Sequence, residues 1–548
     1  MAKLEDLIHN SYGGAQLFDV CFKEDCFGRH DALQSGMNEK LPVTVVDKAT
    51  SELLEVPALF ETVDFTNTTL GKYTLWRSLL QPLADIKLLQ SKQDSLKELE
   101  NDETMRVSVN DYMLSLKDKE YEMLGFFFRG ERFGATAQYG EYNQTKRYFE
   151  RMAKNTKTIP EPQTPYLKTL INDIDSIDGT HTFELIKGPV YLTWKGLKPG
   201  SEVGLFTPKI KFTTWHVKPT FVATSMISTL LGTAAMVSAV EGSYLADIGF
   251  GAMILSMFSW FATAFYPSYF DQHTFIDPLK NLYKFDPGIR RGLEAAGKID
   301  ELLSMSEYGR RIGDYSTMPN LSDANPHHFK SDGMVNPILW NPKEQDSRFC
   351  VPNDVELDGQ RLTVLTGPNS GGKTTYAKSV AQTQILAQIG SYVPAREAEM
   401  AIADRIFYQA PMFNSLTDSE GRFGTELART RDIFFRTTPR SLVILDDALA
   451  GATTHLESVQ TSYDILDGFY HIGNNTLLIT HNTDLAASLE KEGRGKYLQA
   501  EFKSGSPTYR LIPGVSMDSH SKEVAINVGF SREHIADYLK REGYMRPE

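Results

Sequence analysis

Apolar positions recur at helical spacing from Val43 to Lys117, so this stretch is predicted to be mostly helix. Leu79-Leu80-Gln81-Pro82-Leu83 breaks it, because proline removes a helical N–H and disfavours helix in the residue before it. Asp85–Leu99 then resumes with apolar residues on one face and charges on the other. Helical stretches continue over Tyr121–Leu170, with interruptions expected at Gly125, Gly130 and Gly134. Gly179–Phe212 changes character. Its β-branched and aromatic residues, divided by Lys-Gly-Pro and Lys-Pro-Gly turns, predict short strands or an irregular insertion. Asp277–Glu307 returns to helix, and from Asn336 onward short β-type runs alternate with amphipathic helices, the pattern of an α/β layer.

Two stretches stand apart. Phe221–Val240 and Ile248–Tyr266 carry no charge, and the connecting Glu241–Asp247 is polar and acidic. Each just reaches the ~20 residues that cross a bilayer core as helix. Lys209, Lys211 and Lys218 precede the pair, Lys280 and Lys284 follow it, and Trp215, Trp260 and Tyr266 lie near the ends. That arrangement predicts a membrane hairpin over 221–266 with both ends in the cytoplasm. The second reading is a buried helical hairpin in a large core, since the first segment is rich in Thr, Ser, Gly and Ala. The start of the chain lacks the basic residues and apolar run of a secretory signal. The expectation is therefore a cytoplasmic protein, anchored by the hairpin on the first reading and soluble on the second.

Composition adds bounds. The 548 residues are 41% hydrophobic and 23% charged, as in ordinary folded proteins, and leave room for several domains. The net charge of −13 gives nucleic-acid binding no global support. Locally, Lys146, Arg147, Arg151, Lys154 and Lys157 interleave with Tyr148 and Phe149. Such a run either follows a phosphate backbone or is a solvated helix face. Cys21 and Cys26 have the spacing of half a zinc site, but no second Cys/His pair follows, which favours ordinary thiols.

The densest chemistry begins after the β-type run Leu362–Thr366 and precedes a helical pattern over Thr375–Ile389. Gly367-Pro368-Asn369-Ser370-Gly371-Gly372-Lys373-Thr374 fits the phosphate-loop pattern in its strand–loop–helix setting, with Thr375 next. Glycines let successive N–H groups turn toward phosphate oxygens, lysine neutralises them, and the Thr374 hydroxyl suits Mg²⁺. Such a loop needs a metal-holding acid at the end of a neighbouring strand. Ser441–Leu445 is that strand, ending in Asp446, the candidate Mg²⁺ ligand, and Asp447, placed to position the attacking water. Thr476–Thr480 is a further strand, ending in His481, a candidate γ-phosphate sensor. ATP and Mg²⁺ are the cofactors these residues imply.

In this order the blocks resemble the ATPase of the MutS family. Gly367–Thr375, Ile389–Ala395, Asp404–Phe407, Ser441–Asp447, Thr480-His481, and Pro513-Gly514 through Ser519 to Ala525 and Gly529 are similar to its successive motifs. Asn336-Pro337 and Phe349–Asn353 resemble the lead-in strand, and Thr62–Lys72, Leu79–Leu83 and Gln93 resemble the start of the MutS helical core. The likeness spans about residues 43–110 and 330–540. It implies an α plus α/β protein: a lead-in over 1–42, a helical core with an inserted segment over 43–330, and an ATPase of the ABC class over 331–548. By the same resemblance Phe349 stacks on adenine. The protein is then a homodimer in which each nucleotide lies between one subunit's phosphate loop and the other's signature loop, and double-stranded DNA is the ligand.

The chain departs from the family pattern in four places. Only residues 1–42 precede the helical core, so mismatch recognition of the usual kind is not expected. Asp447 stands where the family usually has Glu; its shorter side chain predicts slow hydrolysis. In the signature loop Gly421 takes the family's Ser position, and Ser419 or Arg422 is the candidate replacement; Arg422 is either a trans contact to the partner's γ-phosphate or a solvated arginine. The apolar hairpin lies where relatives insert a DNA-gripping clamp. Two functions remain open: a slow dimeric ATP-gated DNA clamp, and an ATP-gated membrane scaffold that grips a protein or lipid.

Overall fold

The computed structural model describes residues 45–128, 138–215, 218–239, 254, 256–260, 269–340, 350–411, 421–447, 455–503, 506–516, 526 and 528–544. Its first part is helical: α1 (Lys48–Leu53), α2 (Val56–Val63), α3 (Thr69–Leu80), α4 (Ile86–Asn101), α5 (Glu103–Phe128), α6 (Tyr139–Asn155), α7 (Pro165–Asp175) and α8 (His181–Lys187). The expected break at Pro82 separates α3 from α4, and Asp85 caps α4 by accepting from the Lys87 and Leu88 N–H groups. The interruption expected at Gly125 does not occur, since α5 runs through it. Strands β1 (Val190–Thr193), β2 (Gly196–Pro199) and β3 (Ile210–Lys211) form the small antiparallel sheet expected within Gly179–Phe212. Then follow α9 (Pro219–Ala239), α10 (Asp277–Phe285) and α11 (Pro287–Ile312).

Long-range packing in this part centres on α3 and α11. A Cβ on Gly71 would lie 2.2 Å from Asp300 Oδ2, and one on Gly297 2.3 Å from Thr74 Oγ1, so glycine lets these helices touch. Asp300 accepts from the N–H groups of Asn67 (3.0 Å) and Thr68 (2.7 Å) and from the Thr68 hydroxyl (2.7 Å). Glu120 of α5 accepts from the Thr69 and Leu70 N–H groups at 2.6 and 2.9 Å. Two buried carboxylates thus satisfy the open N–H groups at the start of α3. Burial nevertheless pushes the Glu120 pKa up to about 7.

The membrane reading of 221–266 is corrected. Among the described residues no helix is long and apolar enough to cross a membrane. Helix α9 has the length, 21 residues, but seven of them are Ser or Thr, whose hydroxyls cost free energy in hydrocarbon. Absence of charge is a weaker criterion than apolar content. The buried-hairpin reading does not hold either, since Leu230 (68%), Leu231 (65%) and Val237 (72%) are exposed. Where the second segment is described, its contact with α9 is polar: Ser225 Oγ to Ser259 Oγ at 2.9 Å and Trp260 Nε1 to Thr229 Oγ1 at 2.8 Å.

The basic and aromatic run in α6 resolves into a helix with two faces. Tyr148 and Phe149 are buried in the core, so they are not available to stack on bases. Lys146 donates to the Lys187 carbonyl at 2.6 Å and Arg151 to the Ser115 carbonyl at 3.2 Å. This is the helix-face reading of the charge run.

The second part is α/β. Its elements are β4 (Ser316–Thr317), β5 (Asn320–Ser322), β6 (Phe329–Met334), β7 (Asn353–Leu357), β8 (Leu362–Thr366), α12 (Lys373–Gln388), β9 (Val393–Pro394), β10 (Glu397–Ala401), β11 (Ile406–Gln409), α13 (Gly421–Arg436), β12 (Leu442–Asp446), α14 (His455–Ile472), β13 (Asn475–Ile479), α15 (Thr483–Lys491), β14 (Lys496–Lys503), β15 (Ser506–Pro513) and α16 (Arg532–Arg541). The main sheet runs β11-β12-β13-β8-β14-β15, parallel except for the last strand. Strands β8, β12 and β13 are buried throughout, which explains their continuous apolar runs. Val443 and Leu445 face one apolar cluster, and Leu442 and Ile444 face the other.

That second cluster runs unbroken into the helical part. Gln388 and Leu83 exchange hydrogen bonds (2.8 and 3.0 Å), Gln382 donates to the Leu54 carbonyl (2.8 Å), and Gln93 donates to the Pro319 carbonyl (3.1 Å). The helices and the sheet are bound together by apolar packing and by hydrogen bonds.

Candidate active site

The phosphate loop leaves the C-terminal end of β8, which lies between β13 and β14. Gly367 turns the chain at φ 114° and Gly372 at φ 85°, conformations that other residues adopt at a cost. A Cβ on Gly371 would meet the Ala500 Cβ of β14 at 2.4 Å, so the loop is pressed onto that strand. Helix α12 starts at Lys373 and directs its N-terminal N–H groups back into the turn.

Lys373 is buried, and its ammonium donates to the carbonyls of Gly367 and Pro368, each at 2.7 Å. Burial pushes its pKa down to about 8, opposed by the charges of Asp446 and Asp447. Ser370 and Thr374 are exposed, and Thr375 is half-buried. Pro368 is buried, and Asn369 stands in a short turn of 3₁₀ helix over Asn369–Gly371.

The carboxylates come from the neighbouring strand ends. Asp446 closes β12, in register with Ile479 of β13, and its Oδ2 accepts from the Tyr408 hydroxyl at 2.7 Å. Asp447 stands at φ 48°, its N–H donating to the Ile479 carbonyl at 2.9 Å. Its carboxylate receives the His481 N–H, yet burial outweighs this and raises its pKa. His481 follows β13 and has a lowered pKa, first from burial and then from Lys373. The phosphate loop, Asp446, Asp447 and His481 thus meet at the C-terminal edge of one parallel sheet, where open α/β sheets bind ligands.

A cavity of about 430 Å³ opens beside the loop, lined by Ser370, Gly372, Lys373, Thr374 and Thr375 on one side and by Asn336, Cys350, Val351, Asn353 and Tyr509 on the other. Tyr509 has no signal in the sequence that marks it. It stands at φ 59° in β15, and a Cβ on Gly372 would lie 3.4 Å from its ring. Asn353 fixes it, donating to the Tyr509 carbonyl (3.0 Å) and accepting from the Leu511 N–H (2.9 Å).

Phe349 and Ser419 lie outside the described residues, as do Cys21, Cys26, Ser519 and Ala525. Gly421 and Arg422 occupy the first turn of α13. Further along this helix, Gln409 of β11 donates to the Glu426 carbonyl at 3.0 Å, and Arg429 pairs with Asp47 at 2.8 Å.

Residues 363–537 match the family model for MutS domain V. The chain is 37% identical over 187 residues to the DNA mismatch repair protein msh3 of Aspergillus oryzae, covering 32% of this chain and 17% of that protein. It is 43% identical over 188 residues to the msh3 protein of Emericella nidulans, with shares of 32% and 17%. The DNA mismatch repair protein MutS of Desulforamulus reducens is 36% identical over 202 residues, with shares of 36% and 22%. The matches thus span less than a quarter of the length of these relatives. The family model covers the phosphate-loop part of the chain, and residues 363–537 form a domain of the MutS family.

Proposed function

We propose that the chain binds and slowly hydrolyses Mg·ATP at the loop Gly367–Thr374, and that the nucleotide gates its hold on double-stranded DNA. The observation that carries this reading is the convergence of Lys373, Asp446, Asp447 and His481 at one sheet edge beside the cavity. The residues fit the nucleotide. Gly367 and Gly372 take the left-handed backbone that a phosphate cradle needs, and the buried ammonium of Lys373 sits inside it.

Mg²⁺, when bound, neutralises charge across the β- and γ-phosphates. Thr374 and Asp446 would hold it. Lys373 stabilises the phosphates, and the α12 N-terminus adds partial positive charge. Asp447, with its raised pKa, positions the attacking water, and His481 lies beside it to sense the terminal phosphate. The cavity wall at Asn353 and Tyr509 is suited to the base, and Phe349 is the second aromatic assigned to it. Asp447 is one methylene shorter than glutamate, which supports slow turnover.

Residues 331–548 then form an ATPase of the ABC class, and 43–330 its helical lever. The active assembly is a homodimer in which the signature loop, with Ser419, Gly421 and Arg422, faces the partner's nucleotide. The DNA role is supported by the relatives, which are DNA mismatch repair proteins by name. The second reading, an ATP-gated scaffold for a protein partner, is favoured by the exposed apolar side chains of α9 and by the buried Tyr148 and Phe149. Two assays on the purified chain separate these readings. Mg²⁺-dependent ATP hydrolysis with salt-sensitive duplex binding supports the clamp; hydrolysis without duplex binding at low salt replaces it with the scaffold. No nucleotide binding at all would refute both.

A further inference from the structure

We propose that Tyr408 is a positioning residue that fixes the Asp446 carboxylate and ties it to helix α1. Tyr408 lies on β11, in parallel register with Ile444 of β12, so it shares a sheet face with Asp446 two residues further on. It is fully buried, and its hydroxyl donates to Asp446 Oδ2 at 2.7 Å. With one oxygen held by a rigid ring, the carboxylate keeps a single orientation, and the partner of a metal ligand sets that ligand's direction.

The other side of Tyr408 meets the helical part. Its N–H donates to the Thr50 hydroxyl of α1 at 3.2 Å. Asp47 caps α1 by accepting from the Thr50 N–H at 2.9 Å and also pairs with Arg429 of α13 at 2.8 Å. The segment Val45–Val46 lies along the same strand, with the Ile406 N–H donating to the Val45 carbonyl at 2.7 Å. Through Tyr408, the seating of α1 bears on the orientation of the acid assigned to the metal.

This inference rests on the Mg·ATP reading, and its test separates the two. A fluorescent ATP analogue is titrated into the full chain in EDTA and at rising Mg²⁺. For Tyr408→Phe, the Mg²⁺ concentration giving half of the metal-dependent effect rises by about 10-fold, the lower range for losing a metal ligand's supporting partner. Affinity in EDTA stays within about 2-fold, because the loop's backbone and Lys373 are untouched. A merely structural role would move both together. Tyr408→Phe placed on Asp446→Asn adds nothing further to the Mg²⁺ requirement; an additive effect would overturn the proposal, as would an unchanged requirement in the single variant. If the wild-type chain binds no nucleotide, the functional reading itself fails. If it binds nucleotide without a Mg²⁺ effect, the metal assignment of Asp446 fails.

Discussion

The ammonium of Lys373 donates to the carbonyl of Gly367 at 2.7 Å, joining the first residue of α12 to the first residue of the loop that precedes it. A second bond to Pro368, also 2.7 Å, makes the lysine an internal strut of the turn. Lys373→Met keeps the bulk and removes the charge and both bonds. Calorimetric titration should show ATP affinity reduced by at least ~100-fold, since charge-assisted contacts to phosphate contribute about 1.5–3 kcal/mol each. Retained affinity would exclude this loop as the phosphate site.

Asp447 gives a prediction with two signs. Asp447→Asn should leave ATP binding intact and lower kcat by ~100-fold, because water positioning acts in the transition state. Asp447→Glu should raise kcat about 10-fold, since the added methylene restores reach. Steady-state phosphate release measures both, and a Glu variant slower than wild type would contradict the reach account.

His327 predicts a pH dependence. It is fully buried, with Asn475 Nδ2 donating to its Nδ1 at 3.0 Å, and burial pushes its pKa down to about 4. The folded value is below the unfolded value of ~6.5, so the unfolded chain takes up the proton first as pH falls. Stability from this site is complete above pH ~6.5 and is lost as pH falls toward 4, on the order of 3 kcal/mol in all. Urea unfolding of wild type and His327→Gln should therefore converge by about 2–3 kcal/mol between pH 8 and pH 4.5. A constant gap would show that burial does not lower the His327 pKa.

Close helix contact gives a stability prediction. Gly297→Ala places a Cβ against Thr74 and the Leu70 carbonyl, which lies 3.0 Å away. Overpacking of this kind typically costs about 1–3 kcal/mol. Thermal unfolding should show a clear fall in Tm, larger than for Gly140→Ala, whose Cβ meets nothing within 4 Å.

The phosphate loop was legible because strand, turn and helix are consecutive, and each leaves a local pattern. Asp446, Asp447 and His481 were legible for a related reason, as polar residues ending apolar strands. Tyr408 and Tyr509 were not. Tyr408 reaches Asp446 across 38 residues, and Asn353 reaches Tyr509 across 156, so neither contact marks the local sequence. Freedom from charge does not make α9 a membrane span, because seven of its 21 residues carry hydroxyls. In α6 the helical period places Tyr148 and Phe149 inside, which composition alone does not separate from the basic residues beside them.

Nucleotide control of the DNA grip is measured by the dissociation rate of a labelled duplex at low salt without nucleotide, with ADP and with Mg·ATP. A nucleotide-gated grip requires rates that differ by at least about 10-fold between nucleotide states, which at equal association rates is a coupling of ~1.4 kcal/mol, and no difference in Lys373→Met. Equal rates in all three states would contradict it.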